Sequence, residues 1–292
     1  MTAQIINGKE LAASIKEEIK TRISERAARS LTIPGLATVL VGNDPASRTY
    51  VTNKIKTTAA LGIRSFSYEL PEDCTQEELE ALIAKLNEDP EVHGILVQLP
   101  LPEQLSEERV LLAISPKKDV DGMHPYNAGL LARKFSEPLF YPCTPSGIIR
   151  MINSVCPDIS GMNAVVIGRS PIVGMPTAMM LSRCNATPTI CHSSTRHLDE
   201  ICREADIVVA AAGSPHLVKG SWIKPGAIVI DVGINHIEDP SAARGYRLIG
   251  DVDFDEAVKH AGAISPVPGG VGPMTIAMLM YNTLKAVEYT DK

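Results

Sequence analysis

A chain of 292 residues, 45% hydrophobic and 21% charged, is long enough for two domains or one large α/β unit and has a globular composition. Its net charge of −6 and the lack of any dense Lys/Arg cluster leave no basic face for nucleic acid. No apolar run approaches membrane-spanning length and the first residues carry no signal-peptide core; six scattered cysteines without a Cys-x-x-Cys pair read as reduced thiols of a cytoplasmic protein, not as disulfides or a zinc site.

Leu11, Ile15, Ile19 and Ile23 recur every fourth residue between Lys and Glu, which predicts an amphipathic first helix. Leu36 to Val41 reads as a buried strand. Asp44 then caps a helix with Pro45 at its first position, and Gly62 ends it. On that helix Tyr50 and Lys54 are one turn apart and share a face, while Lys56 points elsewhere. A ring above an ammonium suits a flat heterocycle with a proton transfer nearby; it equally describes a surface tyrosine and a solvated lysine.

Arg64 to Leu70 predicts a second strand, and Thr75 to Asn87 a helix with Thr75 and Glu78 forming a capping box. Val92 to Gln98 predicts a third strand, ended by Leu-Pro-Leu-Pro, and places Gln98 at the carboxyl end where open α/β sheets contact ligands. Strands alternating with helices make this half a parallel α/β unit. Asp119 and Asp121 precede a glycine turn and read as side chains bonding their own backbone; the turn offers too few oxygens for Ca²⁺, and no metal is expected.

Tyr141 to Gly147 reads as a linker into a helix over Ile148 to Ser154. A second α/β unit follows, with strands at Ala164–Ile167, Thr187–Cys191, Asp206–Ala211, Ala227–Asp231 and Tyr246–Ile249. After the first of these comes Gly168-Arg-Ser-Pro-Ile-Val-Gly174, then a helix. Strand, glycine turn and helix N-terminus make an anion site of free N–H groups and dipole. The dinucleotide fingerprint needs glycine at 168, 170 and 173, whereas this chain has Gly168, Ser170 and Gly174, so an ordinary βα turn stays open. The strand ending at Cys191 lacks the acid that holds an NAD ribose and runs into His192-Ser-Ser-Thr-Arg196; with Arg169, this favours NADP. Small residues in Ala211-Ala-Gly-Ser and Asp231-Val-Gly-Ile-Asn would let a ligand approach the backbone. A Pro/Gly loop from Pro266 leads into a closing helix, Thr275 to Val287.

Taken together in one order, Tyr50-x-x-x-Lys54-x-Lys56, Val97-Gln-Leu-Pro-Leu-Pro, Lys118-Asp-Val-Asp-Gly, Gly168-Arg-Ser-x-Ile-Val-Gly-x-Pro and Pro266-Val-Pro-Gly-Gly-Val-Gly-Pro-Met-Thr closely resemble the bifunctional methylenetetrahydrofolate dehydrogenase/methenyltetrahydrofolate cyclohydrolase (FolD) family. The resemblance implies two α/β domains flanking a cleft, the C-terminal one a Rossmann-type NADP domain. Residues 1–140 with 273–292 would bind folate, 141–272 would bind NADP, and a homodimer would join through the NADP domains. By matching position, it gives the catalytic lysine as Lys54, held and tuned by Gln98. Tyr50 would stack on the folate and Asp121 would bond its pterin-like ring. Leu99 and the loop residues Pro268, Gly269, Gly270 and Thr275 would line the folate pocket, while Gly168, Arg169, Ser170, Ser193 and Ile234 would hold NADP.

The implied chemistry is hydride transfer from the methylene bridge of the folate to NADP⁺, then water attack on the resulting cation. The second step needs a proton acceptor. Burial, the cationic substrate and Lys56 are each expected to lower the pKa of Lys54 toward that role. Two other readings remain at this point: an NADP-dependent dehydrogenase acting on a cyclic hydroxy acid, and a catalytically silent NADP-binding protein.

Overall fold

The computed structural model describes residues 2–133, 135–241 and 245–291. In chain order its elements begin with β1 (Gln4–Ile5), α1 (Gly8–Ala28), β2 (Gly35–Val41), α2 (Pro45–Ala60), β3 (Arg64–Leu70), α3 (Gln76–Glu88) and β4 (Gly94–Val97). There follow α4 (Glu107–Ala113), α5 (Pro125–Leu131), α6 (Cys143–Val155), β5 (Asn163–Ile167), α7 (Gly174–Arg183), β6 (Thr187–Cys191), α8 (Leu198–Arg203) and β7 (Ile207–Ala210). The last are β8 (Ile228–Asp231), β9 (Asn235–Glu238), β10 (Tyr246–Ile249), α9 (Phe254–Ala257), β11 (Ala263–Ile264) and α10 (Val271–Thr290). The chain divides into two units: Ala13–Cys143 with Ile276–Lys292, here the first unit, and Met1–Ala12 with Thr144–Thr275, the second.

The first unit is built on a three-stranded parallel sheet in the order β3-β2-β4. Every residue of β2 and β4 is buried, whereas β3 alternates between half-buried and exposed positions, as an edge strand should. Val39, Val41, Leu79, Ile83, Leu86, Ile95 and Val97 form its core. The local signals act as read: Asp44 accepts from the Ser47 N–H at 2.7 Å, Pro45 opens α2, and Gly62 follows its end at φ +78°. Thr75 and Glu78 form the capping box of α3, each such cap being worth about 1 kcal/mol. Because β2 lies between β3 and β4, the winding reverses at β2 and β4, and their carboxyl ends form the crevice where such sheets hold ligands.

The second unit carries a six-stranded parallel sheet in the order β1-β11-β8-β7-β5-β6. Its winding reverses between β5 and β7. Val165, Ile167, Val208, Ala210, Val229 and Ile264 are among its buried core residues. The expected strand Tyr246–Ile249 forms, but pairs antiparallel with β9 in a separate ribbon. Its partner β9 alternates between half-buried and exposed residues, which suits a ribbon with an exposed face rather than strands buried on both faces.

Three boundaries differ from the sequence reading. Residues 1–12, expected with the folate-binding domain, group with the second unit, because β1 pairs in parallel with β11 through Gln4 with Ala263 and Ile5 with Ile264. The stretch read as a linker is already helical from Cys143, and α10 starts at Val271 inside the Pro/Gly loop. Pro145 and Pro273 fall in first turns, where no intrahelical N–H bond is lost.

Candidate active site

In the first unit α2 leaves the carboxyl end of β2, and Gln98 follows the end of the neighbouring strand β4. The Gln98 N–H donates to the Val39 carbonyl at 2.9 Å, which ties Gln98 to the central strand. This parallel pairing brings together side chains 44 residues apart: Lys54 Nζ donates to Gln98 Oε1 at 2.9 Å. Gln98 Nε2 donates to the Leu99 carbonyl, so the amide oxygen is the atom that faces the amine. Tyr50 sits one turn earlier on α2 and is 38% exposed.

Burial pushes the Lys54 amine below its usual range, opposed by the charge of Asp121. Lys56, expected to contribute, lies exposed on the helix and takes no part in the shift. The two acids of the glycine turn divide their work. Asp119 is buried and accepts from the N–H groups of Met123 and His124 at 3.1 and 2.8 Å and from Asn127 Nδ2 at 2.8 Å. It is the turn-bonding acid, and burial pushes its pKa up to about 6 against those hydrogen bonds.

Asp121 instead acts by its charge on Cys143, whose thiol donates to the Val120 carbonyl at 3.3 Å. Burial and the Asp121 charge push that thiol well above its ordinary range, so Cys143 stays a neutral donor. Asn282 of α10 fastens the same corner, donating from Nδ2 to the Val120 and Tyr141 carbonyls at 2.8 and 2.9 Å. Sequence reasoning missed Cys143, set aside as a core thiol, and Asn282, which has no motif to mark it.

In the second unit a cavity of about 510 Å³ opens at the carboxyl ends of β5 and β7, lined by Gly168, Arg169, Ser170, His192, Ser193, Ala211 and Ser214, among others. Gly168 has φ +123°, and a Cβ there would lie 2.1 Å from the Ala211 carbonyl oxygen; one on Gly174 would lie 2.1 Å from the Gly168 oxygen. The turn therefore needs both glycines whatever it binds. Ser170, expected to hold NADP, also braces the turn from within. Its hydroxyl accepts from the N–H groups of Val173 and Gly174 at 3.2 and 3.3 Å, so these two donors, read as free for an anion, are capped from within. Arg169 and Ser193 are exposed beside the cavity, and Ile234 is an exposed apolar side chain at 46%. The donor set of hydroxyls and a guanidinium, with no carboxylate at the end of β6, fits a phosphorylated ribose.

The Pro/Gly loop also belongs to the second unit. The Lys9 N–H donates to the Gly269 carbonyl at 3.2 Å, and a Cβ on Gly8 would lie 1.9 Å from the Gly270 oxygen. Pro268 is exposed, and the Thr275 hydroxyl pairs with that of Thr144 at 3.0 Å. Part of the glycine content of this loop thus serves its packing against the start of α1. Gly233, read as admitting a ligand, instead admits the Asp251 carboxylate, whose Oδ1 would lie 2.3 Å from a Cβ at that position.

A dinucleotide-type α/β unit, joined to another α/β unit that holds a half-buried amine at its own switch point, defines an enzyme that couples a nucleotide cofactor to a separately bound substrate. The chain belongs to the tetrahydrofolate dehydrogenase/cyclohydrolase family: residues 6–121 match the family's catalytic domain and residues 142–291 its NAD(P)-binding domain. It is 53% identical over 292 residues to the bifunctional protein FolD of Acetivibrio thermocellus, covering 100% of this chain and 99% of that one. It is 54% identical over 286 residues to the chloroplastic bifunctional protein FolD 4 of Arabidopsis thaliana, covering 98% and 79%. Among solved structures it is similar to the methylenetetrahydrofolate dehydrogenase-cyclohydrolase of Trypanosoma brucei, complexed with NADP and an inhibitor, at 43% identity and a TM-score of 0.96, covering 100% and 99%.

Proposed function

We propose that the protein oxidises 5,10-methylenetetrahydrofolate with NADP⁺ to the 5,10-methenyl compound and hydrolyses this to 10-formyltetrahydrofolate. The observation that carries the reading is the Lys54–Gln98 pair: a half-buried amine, lowered in pKa and oriented by one hydrogen bond, at the switch point of the family's catalytic domain. The named activities of the relatives, and the NADP bound by the Trypanosoma brucei enzyme, supply the substrate and cofactor.

In this reading the first unit takes the folate and the second the nucleotide. Tyr50 stacks on the pteridine, Asp121 accepts from its polar edge, and Leu99 packs beside Gln98. The Gly168 turn, shaped by Ser170, holds the pyrophosphate, Arg169 and Ser193 take the 2′-phosphate and Ile234 packs against the cofactor. The absence of an acid after β6 favours NADP over NAD.

Bound NADP⁺ supplies the hydride acceptor. Loss of hydride from a carbon between two nitrogens leaves a delocalised cation and needs no protein base, so for this step the protein contributes orientation. Water attack on that carbon does need proton removal. A free lysine with a pKa of about 10.4 is almost wholly protonated at neutral pH; burial brings Lys54 nearer the range of a working base, and Gln98 aims it. A homodimer joined through the nucleotide-binding units belongs to the same reading, and light scattering should give twice the mass of one chain.

The deciding experiment mixes enzyme, 5,10-methylenetetrahydrofolate and NADP⁺ and follows absorbance of the methenyl product. It should rise only with both substrates present and then decay as the formyl product accumulates. No methenyl formation under any of these conditions overturns the proposal.

A further inference from the structure

Asp251 is fully buried beside the nucleotide cavity and forms no part of its lining. Its Oδ2 accepts from the N–H groups of Ala212 and Gly213 at 2.7 and 2.8 Å, and its Oδ1 from the Ser214 N–H and Asn235 Nδ2, both at 2.9 Å. Three consecutive backbone donors of the loop after β7 thus converge on one carboxylate. A second carboxylate places the first: Asp231 at the end of β8 accepts from the N–H groups of Asp251 and Val252 at 2.9 and 3.0 Å. Glycines make room for both. A Cβ on Gly233 would lie 2.3 Å from Asp251 Oδ1, and one on Gly250 would lie 1.7 Å from Asp231 Oδ2.

Ala211, Ala212 and Ser214 of this loop line the cavity next to the Gly168–Ser170 turn. With its three N–H groups turned inward to Asp251, the loop has no consecutive amides left to cradle a phosphate. What remains is carbonyl oxygen and the Ser214 hydroxyl, which suit sugar hydroxyls and a carboxamide. The doubly wound topology orders the ligand the same way: adenosine and 2′-phosphate toward β6, pyrophosphate at the turn after β5, and the other half of the dinucleotide beyond β7.

We infer that Asp251 is a positioning residue for the nicotinamide–ribose half of the cofactor, acting by holding the 212–214 loop in its ligand-accepting form. The inference rests on the nucleotide reading of this cavity and adds to it the group that shapes one end. Replacing the carboxylate by an amide sets an NH₂ against two of the four donors it now satisfies, which frees the loop to move.

Asp251→Asn should raise the Kd of NADP⁺ and of NAD⁺ by the same factor, about tenfold, while adenosine 2′,5′-bisphosphate binds as in the parent enzyme. Asn235→Ala, which removes only one partner of the same carboxylate, should show the same pattern at about threefold and carries the test if the first variant does not fold. A lowered Tm with unchanged NADP⁺ affinity overturns the inference, as does an equal loss of the bisphosphate. If the parent enzyme binds neither NADP⁺ nor the bisphosphate, the nucleotide reading itself has failed, and the positioning role falls with it.

Discussion

Substituting Lys54 by methionine separates the two proposed steps. Methionine keeps an unbranched side chain while removing the amine and the cost of burying its charge. It also leaves Gln98 Oε1 without the donor now at 2.9 Å, a loss of about 1–3 kcal/mol where the site is dry. These terms oppose each other, so the variant should fold with a Tm close to that of the parent. Positioned proton transfer contributes about 10²- to 10⁴-fold in rate, about 3–5 kcal/mol of barrier, and cyclohydrolase activity should fall by that amount. Hydride loss builds positive charge on the substrate, which an ammonium nearby would oppose, so the dehydrogenase step should keep substantial activity. Since the base form of Lys54 is the working one and its pKa lies below 10.5, the cyclohydrolase rate of the parent should climb as pH rises through that pKa. The variant should show no such climb. Following methenyl formation and decay separately at several pH values measures all of this. Equal and complete loss of both activities in a folded variant that still binds folate would refute the assignment of Lys54.

Arg169→Ala should raise the KM for NADP⁺ about tenfold and leave that for NAD⁺ nearly unchanged, the lower end of the range for a charge-assisted bond because Arg169 is exposed. Equal rises for both cofactors would assign the 2′-phosphate to other groups. Asp119, held at about 6 in the folded chain against 3.8 for the free group, keeps a proton that the unfolded chain has released. It therefore lowers stability as pH rises from about 4 to 6, by about 3 kcal/mol in full. Urea unfolding of the parent should show this decline relative to Asp119→Asn, and identical pH slopes for the two chains would contradict it.

What the sequence makes legible follows the range of the forces involved. Asp44, Thr75 and Glu78 act within one turn of their own backbone, and their caps are found where the residues stand. Strands buried on both faces show as apolar runs, which is why Leu36–Val41 and Ala164–Ile167 are read within a residue of their observed bounds. Two-residue strands carry no period, so β1 and β11 exist only through the pairing that draws residues 1–12 into the second unit. Proline and glycine mislead where they fall in a first helical turn, as at Pro145 and Pro273.

The site divides along the same line. Tyr50 and Lys54 share a helix face by spacing alone, but Gln98 reaches Lys54 only because β2 lies beside β4 and both end at the same edge. Here topology supplies what spacing cannot, and the resemblance stood in for it. The residues missed altogether, Cys143, Asn282 and Asp251, share one property: each is buried, and each bonds backbone or a carboxylate of a distant segment. Such side chains set the shape of a site from behind, where no motif marks them. The glycine that admits the Asp251 carboxylate, Gly233, was visible in the sequence, but what occupies its missing Cβ was not. A glycine next to a strand end therefore announces a close approach without naming the partner, and in this chain the partner at Gly233 is an acid of the same chain rather than a ligand.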